Sequence, residues 1–130
     1  VFPLGSAAST TNRFWNPVWI RFCADLPGDD QALARCLLAY ASDMGLVSTG
    51  ALPHAEAVPR EQIMMASLDH ALWFHRNVPL DDWILFHKRT STASGARALV
   101  HAEFFARDGT LVASATQEGL LRVAEPRTVQ

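Results

Sequence analysis

Several features are scarce or missing in this chain, and each narrows the class of function. No apolar run approaches the roughly 18 residues that a membrane-crossing helix needs, so no membrane is expected as a partner. Charge of one sign is missing as well: 11 Lys and Arg stand against 13 Asp and Glu, for a net charge of −2. The two signs are interspersed and form no basic stripe, so nucleic acid is not expected either. Cysteine is scarce, with Cys23 and Cys36 in no CxxC pattern. Cys36 falls in an apolar helical run, where a thiol is expected to be buried as a small hydrophobe in a reduced, intracellular protein. There is no GxSxG string, which argues against a nucleophile elbow. The chain begins at Val1 rather than Met with no leader visible, which fits a processed chain or a piece of a longer one.

What is present reads as one globular domain. Apolar residues make up 49% of the 130 and charged residues 18%, a balance that supports a core and argues against disorder. Residues 1–14, rich in Ser, Thr and Ala, read as a linker or lead-in. Residues 15–123 read as the domain and 124–130 as a polar tail. A strand is expected after Pro17, through Val18, Trp19, Ile20 and Phe22. Asp29 is expected to cap a helix, with Asp30 in its first turn. Through Met44, Leu33, Cys36, Leu37, Tyr40, Ala41 and Met44 recur at helical steps. Ala32, Ala34, Leu38 and Ala39 make nearly every side of this helix apolar, so something is expected to wrap it. Gly45 should end or bend it. A polar loop over 52–62 precedes four strand candidates, at 63–76, 83–94, 97–106 and 111–123. Between the last two lies the hairpin signal Asp108-Gly109. One strand, one apolar helix and a run of long strands make an α+β pattern. Its economical packing is an antiparallel sheet curled around the helix, the hotdog fold.

Within 63–76 lies an anomaly. Asp69 sits among apolar residues in a stretch of strand composition, and a buried carboxylate without partners costs several kcal/mol. Such a residue is either hydrogen-bonded or used, and Asp69 is read here as used.

Three strings carry a family resemblance: LLAYASDMGL at 37–46, SLDHALWFHR at 67–76 with DDW at 81–83, and SGAR at 94–97 followed by DGTLVASATQEGLLR at 108–122. The chain resembles the C-terminal hotdog domain of the acyl-CoA thioesterase II family, over about residues 15–123. The resemblance implies hydrolysis of acyl-CoA to free fatty acid and CoA, with no cofactor and no metal. It also implies that an Asp, a Ser or Thr, and a Gln orient the attacking water; the matching positions are Asp69, Ser91 and Gln117. Thr90 and Thr92 flank Ser91 and would face the opposite way in a regular strand. Ala98 stands where the family commonly has Gly, and Asn77 where it commonly has Pro. Members usually carry two hotdog repeats, and 130 residues hold one, so a second hotdog domain is expected from an N-terminal repeat or another subunit. The chain is expected to form a homo-oligomer, since a sheet around a helix leaves a face and an edge open. The C-terminus is not a Ser-Lys-Leu address, so a cytoplasmic location is expected.

These residue types suit the chemistry. An ionised carboxylate such as Asp69 accepts a proton from water; Ser91 donates and accepts; Gln117 offers an NH₂ and a carbonyl. Thiolate is a tolerable leaving group, so direct attack by water is favoured over an acyl-enzyme. Plainer readings stand beside each assignment, since polar strand residues usually face water and an Asp in a strand is usually structural. His70, His75, His87 and His101 suggest a metal site or a His–Asp dyad, but no pair has zinc spacing and His70 should face away from Asp69. Arg76 and Arg97 suit CoA phosphates or, as plausibly, ion pairs with Asp81, Asp82 or Glu103. Trp73 and Trp83 read as packing or interface residues. Two rival functions remain: a hotdog enoyl-CoA hydratase or dehydratase, and a non-catalytic acyl-CoA-binding or dimerisation module.

Overall fold

A computed structural model describes residues 14–23 and 30–123. Asp29, the expected lead-in before Phe14 and the expected tail 124–130 lie outside the described residues. The helix α1 (Gln31–Ser42) is capped by Asp30, whose carboxylate accepts from the Leu33 backbone N–H at 2.9 Å. The cap is thus one residue later than the sequence suggests. Gly45, at φ 66°, takes the left-handed turn that only glycine adopts at little cost, and the chain re-enters a short helix α2 (Leu46–Thr49).

The strands are β1 (Trp15–Ile20), β2 (Ile63–Ser67), β3 (Ala71–Phe74), β4 (Ile84–Ser94), β5 (Arg97–Ala106) and β6 (Leu111–Val123). They form one antiparallel sheet in the order β1-β4-β5-β6-β2, with β3 also paired to β6. Alternation builds the core. Ile84 and Phe86 of β4, Val100, Ala102 and Phe104 of β5, and Ala113 and Ala115 of β6 are buried against Ala34, Leu38 and Ala41 of α1. Phe86 and Phe104 stack across strands with centroids 4.4 Å apart. Gln31 locks the 77–82 turn to the start of α1, accepting from Val78 N–H at 2.9 Å and donating to its carbonyl at 3.1 Å. The expected hotdog arrangement, a curled antiparallel sheet against a helix, is the observed one.

Four expectations are corrected. β1 contains Pro17 instead of starting after it, opposite His87. The sheet tolerates this because β1 is an edge strand, where a proline need not donate. The stretch 63–76 is two strands, not one. The helix is covered on one face only, not on nearly every side: Ala34, Leu38, Ala41 and Ser42 are buried against the sheet, while Ala32, Arg35, Cys36, Ala39 and Tyr40 are exposed. The apolar count was inflated by alanines, which favour helix without demanding burial. For the same reason the Cys36 thiol, on that outer face, is exposed rather than buried.

Candidate functional site

The 13-residue β6 is served on one side by two shorter strands laid end to end. β3 pairs with 113–116 and β2 with 119–123. Residues 68–70 leave the ladder opposite Gln117 and Glu118, and there the Asp69 carboxylate replaces a strand carbonyl. Its Oδ1 accepts from Glu118 N–H at 2.7 Å, while Leu68 N–H donates to Glu118 O at 2.9 Å. Asp69 is therefore exposed and in a loop, not buried in a strand. Aspartate bonds neighbouring backbone readily enough to displace regular pairing. Among the described residues its second carboxylate oxygen has no hydrogen-bond partner.

Gln117 is fully buried on the face of β6 that meets α1. Its Nε2 donates to Asp43 Oδ1 at 2.6 Å, an oxygen that also accepts from Ser67 Oγ at 3.4 Å. The Gln117 Oε1 is buried with no hydrogen-bond partner among the described residues. Asp43 is the residue that reading the sequence missed. An acid just past a helix C-terminus opposes the helix dipole, and that unfavourable placement was the available signal.

His70 also takes part, because 68–70 is not a strand and alternation does not govern it. Its Nε2 lies 2.8 Å from Ser42 Oγ, which also lies 2.7 Å from Ala39 O. A hydroxyl has one proton; given to Ala39 O, it leaves Ser42 to accept from His70 Nε2–H. The loop carrying Asp69 is thereby tied to the end of α1.

Ser91 is set apart. A register shift between Thr90 and Thr92 places it in a β-bulge, and Thr90, not Ser91, faces the buried side. Thr90 and Gln117 both pair with Val100 and share its row. Ser91 lies on the opposite face, 3.1 Å from His101 Nε2, whose Nδ1 is 3.2 Å from Thr116 Oγ1. Burial, helped by the Arg89 charge, holds the His101 imidazole below its ordinary range. The structure thus bonds Asp69 to the peptide N–H that follows Gln117 and leaves Ser91 on the strand two away from β6.

Lys88 is a second omission. It sits on the buried side of β4, only 4% exposed, with Nζ 4.6 Å from the Phe86 ring centroid. A Cβ built on Gly45 would lie 3.6 Å from that nitrogen. No hydrogen bond or ion pair reaches Lys88 from the described residues, and burial lowers its pKa from 10.5 to about 8. Ser42, Thr49, Lys88, Thr90 and Gln117 are the buried polar residues among those described. A cavity of about 260 Å³ lies elsewhere, between the 52–62 segment and the β4–β5 hairpin, with His54, Ile63, Arg97 and Leu121 among its walls. None of Asp69, Ser91 and Gln117 lines it.

Among the described residues neither Arg76 nor Arg97 makes the expected ion pair with Asp81, Asp82 or Glu103; Asp82 pairs with Arg107 instead. Arg97 pairs with Glu118 at 3.6 Å, and Arg76 donates to the Leu111 carbonyl at 2.9 Å. Trp73 is exposed. Among the described residues no three His, Cys, Asp or Glu side chains gather to hold a metal, and no helix is long and apolar enough to cross a membrane.

Comparison with known proteins adds to this geometry. A family model described as acyl-CoA thioesterase matches residues 10–120. The chain is similar to acyl-CoA thioesterase 2 of Haemophilus influenzae, 36% identical over 82% of this chain and 37% of that protein. It is also similar to the solved acyl-CoA thioesterase II of Mycobacterium marinum: 40% identity, TM-score 0.78, 89% of this chain and 43% of that one. A hot-dog-like protein of Thermanaerovibrio acidaminovorans shares the fold alone, at 12% identity and TM-score 0.61. The chain spans less than half the length of the first two relatives.

Proposed function

The chain belongs to the acyl-CoA thioesterase family, and on that premise we propose that it hydrolyses acyl-CoA to a free acid and CoA by direct attack of water. The observation that carries this reading is that the Asp69 carboxylate bonds the peptide N–H next to Gln117, while each side chain keeps an oxygen with no partner among the described residues. A water held by these two groups would pass a proton to the free carboxylate oxygen of Asp69. Gln117 would orient it, and Asp43 fixes which end of the amide faces inward by taking its NH₂. The remaining oxygen then attacks the carbonyl carbon, the tetrahedral intermediate collapses, and CoA leaves as a thiolate. Ser91, the third group that the family resemblance implies, rests on the resemblance alone.

A second hotdog unit, either a further repeat or another copy, belongs to the same proposal. Tyr40 is 73% exposed on the outer face of α1, β1 and β2 are edges of the sheet, and the chain spans 37% of its Haemophilus relative. A cytoplasmic location is part of the proposal too. The test of activity is thiol release from acyl-CoAs, run beside hydration of an enoyl-CoA. Thiol release without loss of enoyl absorbance is the expected result. Hydration without thiol release would favour a hydratase, and tight acyl-CoA binding without either would favour a binding module.

A further inference from the structure

Residues 68–70 are the break between β2 and β3, and the chain on both sides of Asp69 is fastened to the end of α1. Upstream, Ser67 Oγ donates to Asp43 Oδ1 at 3.4 Å. Downstream, His70 Nε2 lies 2.8 Å from Ser42 Oγ. Ser42 is fully buried and gives its own proton to Ala39 O at 2.7 Å, so in this pair the imidazole N–H donates and the serine oxygen accepts. The same helix end holds the other group of the site, since Asp43 takes the Gln117 NH₂ at 2.6 Å. Ala34, Leu38 and Ala41 seat α1 in the core, which makes its last turn one fixed reference for Asp69 and Gln117 alike. We propose that His70 is a positioning residue for Asp69, its hydrogen bond to Ser42 fixing from α1 the loop that aims the free carboxylate oxygen.

This role rests on the thioesterase reading and deepens the same site. Glu118 N–H holds one oxygen of Asp69 at 2.7 Å, and a single bond leaves the carboxylate free to swing about it. Leu68 N–H, bonded to Glu118 O at 2.9 Å, fixes the backbone just before Asp69. Just after it, regular pairing resumes only at Ala71, opposite Thr116. His70 closes that interval. The histidine is exposed, and one hydrogen bond there adds little to stability. Its effect is geometric: a misplacement of about 1 Å at the reacting groups costs about 100-fold in rate. His70 is neither acid nor base in the reaction, because the N–H that points inward is committed to Ser42. The plainer reading is a surface bond that only steadies the fold. Such a bond would lower stability and leave turnover of the folded enzyme alone, whether or not residue 69 is a carboxylate.

The experiment compares full-length wild type with His70→Phe, which keeps a ring without a donor, and His70→Gln, which offers an amide N–H to Ser42. In steady-state thiol release, His70→Phe should lower kcat by about 100-fold with little change in KM, and His70→Gln should recover most of that loss. Each is then combined with Asp69→Asn. A residue that acts through Asp69 has nothing left to position there, so His70→Phe should cost no further turnover in that background. Wild-type kcat in His70→Phe, an effect confined to KM, or the same fold-loss with and without the Asp69 carboxylate overturns the proposal. Hydrogen exchange is the readout independent of turnover. His70→Phe should speed exchange of the Glu118 amide, which Asp69 holds, relative to the Ala115 amide of the same strand; an unchanged ratio refutes the tie. Loss of the thioesterase reading has a different signature, because an inactive wild type would still show that difference in exchange.

Discussion

Lys88 is the only lysine in the chain, and replacing it with methionine should make the protein more stable. Among the described residues no counter-charge reaches the ammonium, and burial lowers its pKa from 10.5 to about 8. At about 1.4 kcal/mol per pH unit, the charged form costs the folded state about 3 kcal/mol. The Phe86 ring, 4.6 Å away, returns about 1 kcal/mol through the cation–π contact, and methionine keeps most of the apolar stem. Lys88→Met should therefore gain about 2 kcal/mol at pH 7, or about 1 M in urea midpoint for an m of roughly 2 kcal/mol/M. The pH dependence carries a definite sign. Below pH 8 both folded and unfolded states hold the proton and the cost is complete. Between pH 8 and 10.5 the folded state releases it while the unfolded state keeps it, so wild-type stability rises with pH. The gap between wild type and Lys88→Met should close over that interval. A variant less stable than wild type at pH 7, or a gap constant from pH 7 to 10.5, would refute the reasoning.

Other expectations follow from single positions. Ala96 occupies the β4–β5 turn at φ 61° beside Gly95 at 59°; Ala96→Gly should relieve about 1 kcal/mol of left-handed strain, read as a higher thermal midpoint. Gly119→Ala should destabilise by about 1–3 kcal/mol in the same assay, because its Cβ would fall 2.5 Å from Val47 Cγ1, where α2 presses on β6. Ser91→Ala should cost far less turnover than Gln117→Ala, since Ser91 faces away from the buried row. Equal losses in kcat would place Ser91 back in the site. Sedimentation of the active protein should show at least two hotdog units per particle, and a fully active particle with one would count against the pairing.

Legibility followed the physics of each signal. Period-2 alternation located β4, β5 and β6 within a residue, since each buries one face and exposes the other. The same alternation already placed Lys88 in register with Ile84 and Phe86 on the core face; it was passed over because a lysine is assumed to face water. Asp69 is anomalous for a reason other than burial. Its composition reads as strand, but a side chain that can replace a backbone carbonyl ends regular pairing where it stands, and strand periodicity carries no trace of that. The bulge at Ser91 escaped for a related reason, because one extra residue reverses which hydroxyl faces inward. Asp43 needed the tertiary contact of α1 with β6, 74 residues apart in sequence. The exposed side of α1 shows the limit of counting apolar residues when many are alanine.

The most direct test of the central claim is the rate of CoA thiol release by wild type and by Asp69→Asn, measured on the same acyl-CoA at pH 7. Asparagine keeps the oxygen that bonds Glu118 N–H but has no carboxylate to receive the proton of water. The account predicts a fall in kcat of about 100- to 10,000-fold with the fold intact; equal rates for the two proteins would contradict it.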